Sequence, residues 1–588
     1  MPKQWVIREK ISDDLVRQIL FYRDIKDDEG VESFLNPNYE KDLHDPFLMK
    51  DMDKAVERIL RAIKDNEKIV IYGDYDADGV CSSAIFHDLF RKIDFNNFHV
   101  HIPDRHLDGY GINSEAIEEF IETKVNLVIT LDCGISDYKE VEKLNEAGID
   151  TVITDHHLGP DKLPNAHAIV DSKQKDDNYP FKFLCGAGVA FKVVHALIQK
   201  GSASRQINIA PGWEKWLLDL VCLATIADSV PLTGENRALV YYGLKVLKKT
   251  QRQGIKSLYR RLSLSPANLN EDDISFMLAP RLNVSSRMEH ANISFQLLTT
   301  ESIEETNWIT GKMEEMTAER KRIVEKITEE IGEKLREKET IPEVIVLGNI
   351  EWNVGVLGMT ASRVVEKYSR SVFLWGKGEA KEIKGSARSS ASSGINIVEL
   401  MNMTPEGFLS EKGGHAMAGG FSISEEKIGD LEKEILSAFE KIPKQKTEGE
   451  MLYIDKELKI GEMNEETYSA VEKLSPFGVD NPKPVFLFSN IEIARVKKFG
   501  NGGIHLQLDF KKSDKDTVSA ISFFSNDNGC RLKVGDHIDL IATIEKSFFR
   551  ATPELRLRIV DINPVRSGVD KDIIEVGDDN ASNGVKIK

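Results

Sequence analysis

The sequence predicts an α/β protein: a parallel-sheet domain, a long connecting helix, a smaller α/β domain and a small C-terminal β-barrel. Three observations predict it. From Lys68 to Leu232 apolar segments recur with helical stretches between them and end repeatedly in carboxylates. From Ser302 to Glu339 the chain is proline-free, glycine-poor and dense in charge, and beyond Met451 it turns to short alternating strands. Alternation of β and α elements is the signature of a doubly wound sheet.

Residues 1–50 read as an N-terminal segment and 51–300 as the first domain. Apolar positions recur at helical spacing from Asp51 to Asp65. KIVIYGDYDADGV, Lys68 to Val80, then carries an apolar, β-branched run, Ile69 to Tyr72, into glycine and three carboxylates, Asp74, Asp76 and Asp78. Three acids at alternating positions repel one another, and hard cations at a strand end explain the spacing, with Gly79 letting the backbone turn. A solvated acidic turn is the plain alternative for one DxD. Recurrence weakens it: VNLVITLDCG delivers Asp132, IDTVITDHHLG delivers Asp155, His156 and His157, and LVCLATIADSVPL delivers Asp228. Read as four strands of an open parallel sheet, these place acids and imidazole at one carboxyl edge, where ligand crevices form. Such a mixed oxygen and nitrogen site suits Mn²⁺ or Mg²⁺ and is too poor in thiolate for structural zinc.

Residues 301–340, including AERKRIVEKITEEIGEKLREK, carry many opposite charges four apart and predict one long exposed helix. EVIVLG opens a second domain over 341–445. Over 446–565, VFLFSN, IHLQLDF, VSAISFF, DHIDLIATIEKS and ELRLRIVDI read as a small antiparallel barrel. Lys497, Lys498, Lys546, Arg550, Arg556 and Arg558 interleave there with Phe499, Phe548 and Phe549, a mixture that tracks single strands by charge and stacking. Residues 566–588 are polar and acidic and predict a disordered tail.

Composition excludes several classes. At 588 residues with 41% apolar content the chain has material for several packed domains. No segment approaches the ~20 apolar residues of a spanning helix, and MPKQWVIREK has no signal-type apolar core, so a cytoplasmic, membrane-free protein is expected. Five dispersed cysteines without CxxC spacing fit a reducing compartment. A net charge of −18 argues against a polyanion partner unless the charge is positive locally. Such a place exists: from Arg237 to Asn270 there is no acid, while Arg237, Lys245, Lys248, Lys249, Arg252, Lys256, Arg260 and Arg261 form a positive run. It reads either as a solvated helix face or as a track for substrate beside the acid cluster.

GDYDADG, LDCG, DHH and ADSVPL, in that order, resemble the four motifs of the DHH phosphoesterase superfamily. IPDRHLDGYG, YPFKFLCGAGVAFK, APRLNVSSR, KGSARSS, GGHAMAGGF and LSPFGVDNPKPVF extend the resemblance to its bacterial single-strand-specific exonucleases, over roughly Val70 to Ile562. The resemblance implies a DHH domain, a DHH-associated substrate domain and an OB-fold. It implies two divalent ions, about 3.5–4 Å apart in two-metal sites, on Asp74, Asp76, Asp78, Asp132, His156 and Asp228. Asp132 would bridge them, Asp155 would orient a histidine, and His157 would meet the scissile phosphate. Arg105, with Tyr110 in the same loop, becomes a phosphate clamp. Arg281 and Asn283 fall in a loop expected to meet the DNA backbone, while Arg281 and Arg287 could equally tie loops by salt bridges. Ser386 and Arg388, in a small-residue loop, suit a terminal phosphate, and His415, flanked by glycines, can donate to a phosphate or scissile oxygen. In LCGAGVAFK, small residues serve either close packing or anion binding at a helix start. The family commonly has glycine where this chain has Ser286, and histidine where it has Asn353.

The expected activity is degradation of single-stranded DNA from the 5′ end to mononucleotides, in recombination and repair, by a monomer with a single-strand-binding protein and a helicase as further partners. A phosphodiesterase acting on oligoribonucleotides or cyclic dinucleotides shares the metal motifs but usually lacks the barrel. A metal-free DNA-binding replication scaffold would have no reason to keep mutually repelling carboxylates.

Overall fold

The computed structural model describes residues 4–378, 383–390, 393–442, 451–500, 503–513, 516–523, 532–548, 553–564 and 573–576. The chain divides into two compact units, 39–447 and 1–38 together with 448–588.

In the first unit five parallel strands lie in the spatial order Phe98–His101, Ile69–Gly73, Leu127–Leu131, Asp150–Thr154, Ala168–Val170. The two strands Ile69–Gly73 and Leu127–Leu131 are buried at every position, which is why they read as continuous apolar runs instead of alternating ones. Ile69–Gly73 has the next strand of the chain on one side and the one after it on the other. The order therefore reverses at this strand, and in such sheets a crevice opens at the carboxyl ends there. Asp74 and Asp132 stand at that point.

LVCLATIADSVPL corrects one expectation: it forms a helix, Leu218–Ala227, not a strand. Nine of its ten residues are buried, so it is enclosed on every side, and the continuous apolar run Leu220 to Ala224 carries no period that separates helix from strand. Ile303–Arg336 is one helix of 34 residues, about 50 Å long. Ile309, Met313 and Met316 on its first half enter the core of the parallel-sheet domain, while Val324, Ile327, Ile331 and Leu335 enter that of the second domain. The second domain is a mixed sheet: Val344–Gly348 and Ser371–Lys377 are parallel, followed by antiparallel Ile383–Arg388, Ala418–Ile423 and Glu411–His415.

In the other unit, Phe486–Phe499, His505–Lys511, Thr517–Ser522, Glu554–Pro564 and His537–Ser547 close into a barrel through pairing of the first with the last. It is not wholly antiparallel, because Thr517–Ser522 and Glu554–Pro564 run parallel. Strand directions cannot alternate around a closed ring of five, so at least one neighbouring pair must be parallel. The N-terminal segment is not a separate piece. Gln4–Arg8 is the middle of a parallel sheet with Met451–Ile454 and Ile573–Val576, and Val16, Ile19, Leu20 and Phe34 pack with Leu474. Four residues of the expected disordered tail are thus ordered, because pairing with Gln4–Arg8 satisfies their backbone. The rest of the tail, with Phe549, Arg550 and Cys530, lies outside the described residues.

Candidate metal centre

The first acid motif sits where strand becomes helix. Asp74 extends the strand, donating its N–H to Leu131 O at 3.2 Å. Asp76 caps the helix Ala77–Lys92: its Oδ1 accepts the N–H groups of Asp78 at 2.8 Å and Gly79 at 3.2 Å. Asp78, in the first turn, is buried, and its carboxylate accepts the N–H groups of Gly186 at 2.6 Å and Ala187 at 2.7 Å. The anion at the start of the helix Gly186–Ala203 is therefore this chain's own carboxylate. Close packing holds there too, since a Cβ on Gly186 would come within 2.5 Å of Asp132 Oδ1. Gly79 is needed for a reason other than a turn: a Cβ there would meet Asp74 O at 2.4 Å.

Asp132 adopts φ +64°, a strained conformation for a residue with a side chain, and it is almost fully buried. His156 Nε2 lies 3.1 Å from Asp132 Oδ1 and 3.8 Å from both Asp78 Oδ2 and Asp228 Oδ2. Asp228 is delivered by the C-terminus of the helix Leu218–Ala227. Asp155 is consumed in orienting its neighbours. Its Oδ1 accepts the N–H of His156 at 2.7 Å and lies 2.7 Å from His157 Nδ1, and its Oδ2 accepts the Ile135 N–H at 3.0 Å. Tyr110 donates its hydroxyl to Asp132 O at 3.1 Å and stands 3.0 Å from His157 Nδ1.

Three groups gather donor atoms within 4.8 Å of one another: Asp74, Asp76 and Asp132; Asp78, His156 and Asp228; and Asp132, His156 and His157. Asp74 Oδ1 and Asp132 Oδ1 are buried without a hydrogen-bond donor. Burial, with Asp76 beside it, pushes the Asp74 carboxyl up to about 8, and the same two causes bring Asp228 to about 7. Burial and neighbouring acids push Asp78 and Asp132 well above the usual range. Burial and His157 draw His156 down to about 3, leaving a neutral imidazole able to ligate. Burial opposes charge on His157, but Asp155 outweighs it and holds the imidazolium up to about 9. Buried acids that cannot all ionise together, with bare oxygens and a neutral imidazole among them, fit hard divalent cations.

Tyr75 and Tyr110 lead from this cluster into a cleft of about 790 Å³ between the parallel-sheet and second domains. Arg105, Arg287, Ser386 and Arg388 line it, with Lys384 and Lys412. Among the described residues Arg105, Arg287 and Arg388 form no ion pair. Burial and Arg105 pull the Arg287 guanidinium down to about 10. Arg388 Nη1 donates to Ser386 Oγ at 3.0 Å and to Ala387 O at 2.8 Å, and it needs Gly358, whose Cβ would lie 2.7 Å from Nη2. A Cβ at Gly413 would meet nothing within 4 Å, so that part of the cleft is bare backbone.

Several expected residues have other employment. APRLNVSSR is a helix, Ala279–Met288, not a loop. Arg281 pairs with Glu314 at 3.0 Å and donates to Met277 O at 3.2 Å, and it does not line the cleft. Asn283 Oδ1 accepts the Ala77 N–H at 2.8 Å, steadying the metal loop. His415 is exposed and outside the cleft lining. Of the basic run, Arg237 is buried, and Arg252 is held between Asp88 at 2.7 Å and Asp219 at 2.9 Å. On the barrel, Glu545 takes both Arg556 and Arg558, and Lys546 pairs with Glu465 at 3.0 Å. Arg287 is the cleft residue that sequence reasoning passed over in favour of Arg281. Asp171, a buried acid ending the fifth strand, was missed because a three-residue strand gives little signal.

Acids and a neutral imidazole at the carboxyl edge of a parallel sheet, facing a cationic second lobe, define the DHH class of phosphoesterases. Family models agree: the DHH family N-terminal domain matches residues 68–225, the DHHA1 domain 342–441 and the RecJ OB domain 454–561. The single-stranded-DNA-specific exonuclease RecJ of Bacillus subtilis is 34% identical over 92% of this chain and 67% of its own length. That of Haemophilus influenzae is 30% identical over 92% of this chain and 93% of its own. The chain belongs to the RecJ family. A crystal structure of exonuclease RecJ bound to manganese superposes with a TM-score of 0.58 at 30% identity, over 67% of this chain and 96% of that one.

Proposed function

We propose that this chain is a single-stranded-DNA-specific exonuclease that removes mononucleotides from the 5′ end by two-metal-ion hydrolysis, in recombination and repair. The observation that carries the reading is a buried carboxylate cluster opening onto a cleft with three guanidiniums that lack acid partners among the described residues. In this reading Asp74, Asp76 and Asp132 would hold one ion and Asp78, His156 and Asp228 the other, with Asp132 able to serve both. Mn²⁺ or Mg²⁺ held there supplies a nucleophilic water and neutralises charge gathering on the leaving oxygen.

The chain's own groups do the rest. Asp155 fixes His157 so that its imidazolium meets the scissile phosphate, and Tyr110 holds the Asp132 turn from the other side. Arg105, Arg287 and Arg388, with Ser386, take the terminal phosphate, whose extra charge a planar fork matches. Natural strands carry phosphate at the 5′ end and hydroxyl at the 3′ end, hence the polarity. Arg281, Asn283 and His415 are left with supporting parts. The enzyme acts as a cytoplasmic monomer on single strands, which a helicase would expose and a single-strand-binding protein would cover.

End-labelled single- and double-stranded DNA, incubated with Mn²⁺, Mg²⁺ or EDTA, tests this. Release of 5′ mononucleotides from single strands, stopped by EDTA and by Asp132→Asn with DNA binding kept, is expected. Asparagine tolerates the positive φ at this position, so that variant isolates the lost charge. Efficient cutting of a circular single strand would overturn the reading.

A further inference from the structure

The last strand of the parallel sheet carries a pair that this chemistry does not use. Thr154 pairs with Val170, and the Asp155 N–H donates to Val170 O at 3.1 Å. Counted from this register, Asp171 is the counterpart of Asp155, one residue past its strand, and Lys173 follows Asp171 by two residues as His157 follows Asp155. The two turns are built alike: Asp155 Oδ1 accepts the His157 N–H at 3.2 Å, and Asp171 Oδ1 accepts the Lys173 N–H at 2.7 Å. Asp171 is 1% exposed, and its Oδ2 has no donor. Lys173 is half-buried and forms no ion pair among the described residues. Its charge is felt at His156 and Asp228.

Arg105 occupies the corresponding place at the opposite edge. It follows the strand Phe98–His101, and its charge is felt at Asp74. Asp74, Asp132 and Asp155 with His156 follow the three strands between, so cations flank this part of the metal cluster at both margins of a five-stranded sheet. Four strand spacings make about 19 Å, room for the phosphates on either side of one held by the metals.

We propose that Lys173 holds the phosphodiester immediately 3′ of the scissile one, the first phosphate of the strand that remains after each cut. The inference rests on the reading that places the terminal phosphate at Arg105 and Arg388. A lysine suits the position. It is a point charge on a flexible stem, able to release one phosphate and take the next as the strand advances, whereas the forked guanidiniums hold an end.

The test uses short 5′-phosphorylated substrates. A dinucleotide carries the terminal and scissile phosphates and no third, while a trinucleotide adds the one assigned to Lys173. Lys173→Ala is expected to leave dinucleotide kcat/KM within about twofold of wild type. On the trinucleotide and longer strands it should fall about tenfold through KM, with the salt slope on long DNA smaller by about 0.7. Lys173→Arg should restore most of the loss. Equal losses on both lengths would place Lys173 on the scissile phosphate or in the fold, and no loss on either would leave it idle; each overturns the proposal. Wild-type release of 5′ mononucleotides from the dinucleotide checks the underlying polarity separately.

Discussion

The Gly186 backbone N–H donates to Asp78 Oδ2 at 2.6 Å, so a carboxylate of the metal cluster is moored to the first turn of a helix 108 residues further along the chain. The bare α-carbon matters as much as the donor, since a Cβ there would come within 2.6 Å of the Asp132 Cβ. Gly186→Ala should therefore fold but hold Mn²⁺ about 10–100-fold more weakly, the usual cost of disturbing a ligand's support. Calorimetric titration with Mn²⁺ checks this, and unchanged affinity would detach the helix from the site.

Chelation and pH are linked. Asp74 and Asp228 are raised from an ordinary 3.8 to about 8 and about 7, so the metal-free native state keeps protons that the unfolded chain has lost. That contribution to stability is complete below about pH 4 and is lost as pH rises through 7 to 8. The Tm in EDTA should fall from pH 5 to pH 8, and the rise on adding Mn²⁺ should widen across the same interval, with protons released on binding. A constant Tm gap would contradict the shared burial of these acids.

On the proposed function, Arg388 selects the strand end. Arg388→Ala should lower the preference for a 5′-phosphate over a 5′-hydroxyl by about tenfold to a hundredfold, as expected for a charge-assisted bond of about 1.5–3 kcal/mol. Gly358→Ala should do the same in part, by displacing Nη2 from its 2.7 Å approach. Cleavage of both end types by each variant is the measurement, and equal loss on both ends would move the pocket elsewhere.

The basic run separates into two kinds of cation. Arg252→Ala removes the guanidinium shared by buried Asp219 and half-buried Asp88, leaving Asp219 the Thr250 hydroxyl and the Leu220 N–H and Asp88 the His87 ring, and should cost about 3–5 kcal/mol. It should be seen in the urea midpoint, with no change in the salt dependence of DNA binding. Arg260 and Arg261 are exposed, and replacing both should leave stability intact while reducing the salt slope by about 0.7 for each phosphate no longer neutralised. The reverse pattern would mean that the run does not face substrate.

Much was legible because it is local. An apolar run of strand length that ends in Asp74, Asp132 or Asp155 announces a sheet edge with acids on it, whatever the rest of the chain does. The long helix declared itself through its charges and the absence of proline. Where the reading failed, the chain offered two solutions of equal local merit. Leu220 to Ala227 is apolar enough to be a buried strand or a buried helix, and only the surrounding core selects the helix.

By itself the sequence determined the order of strands and acids, the metal-type donor set and the succession of domains, since these follow from composition and period. Tertiary structure alone decided which polar groups line the cleft. Arg281 and Arg287 lie six residues apart on one helix, about 240° around its axis, so one meets Glu314 and the other the cleft. Nothing in APRLNVSSR says which way the helix is turned. Likewise the N-terminal strand Gln4–Arg8 finds its partners at Met451–Ile454 and Ile573–Val576, a pairing of distant segments that no local pattern encodes. Residue type sets what a side chain can do. The packing of distant segments sets what it is beside, and the chemistry of this site depends on both.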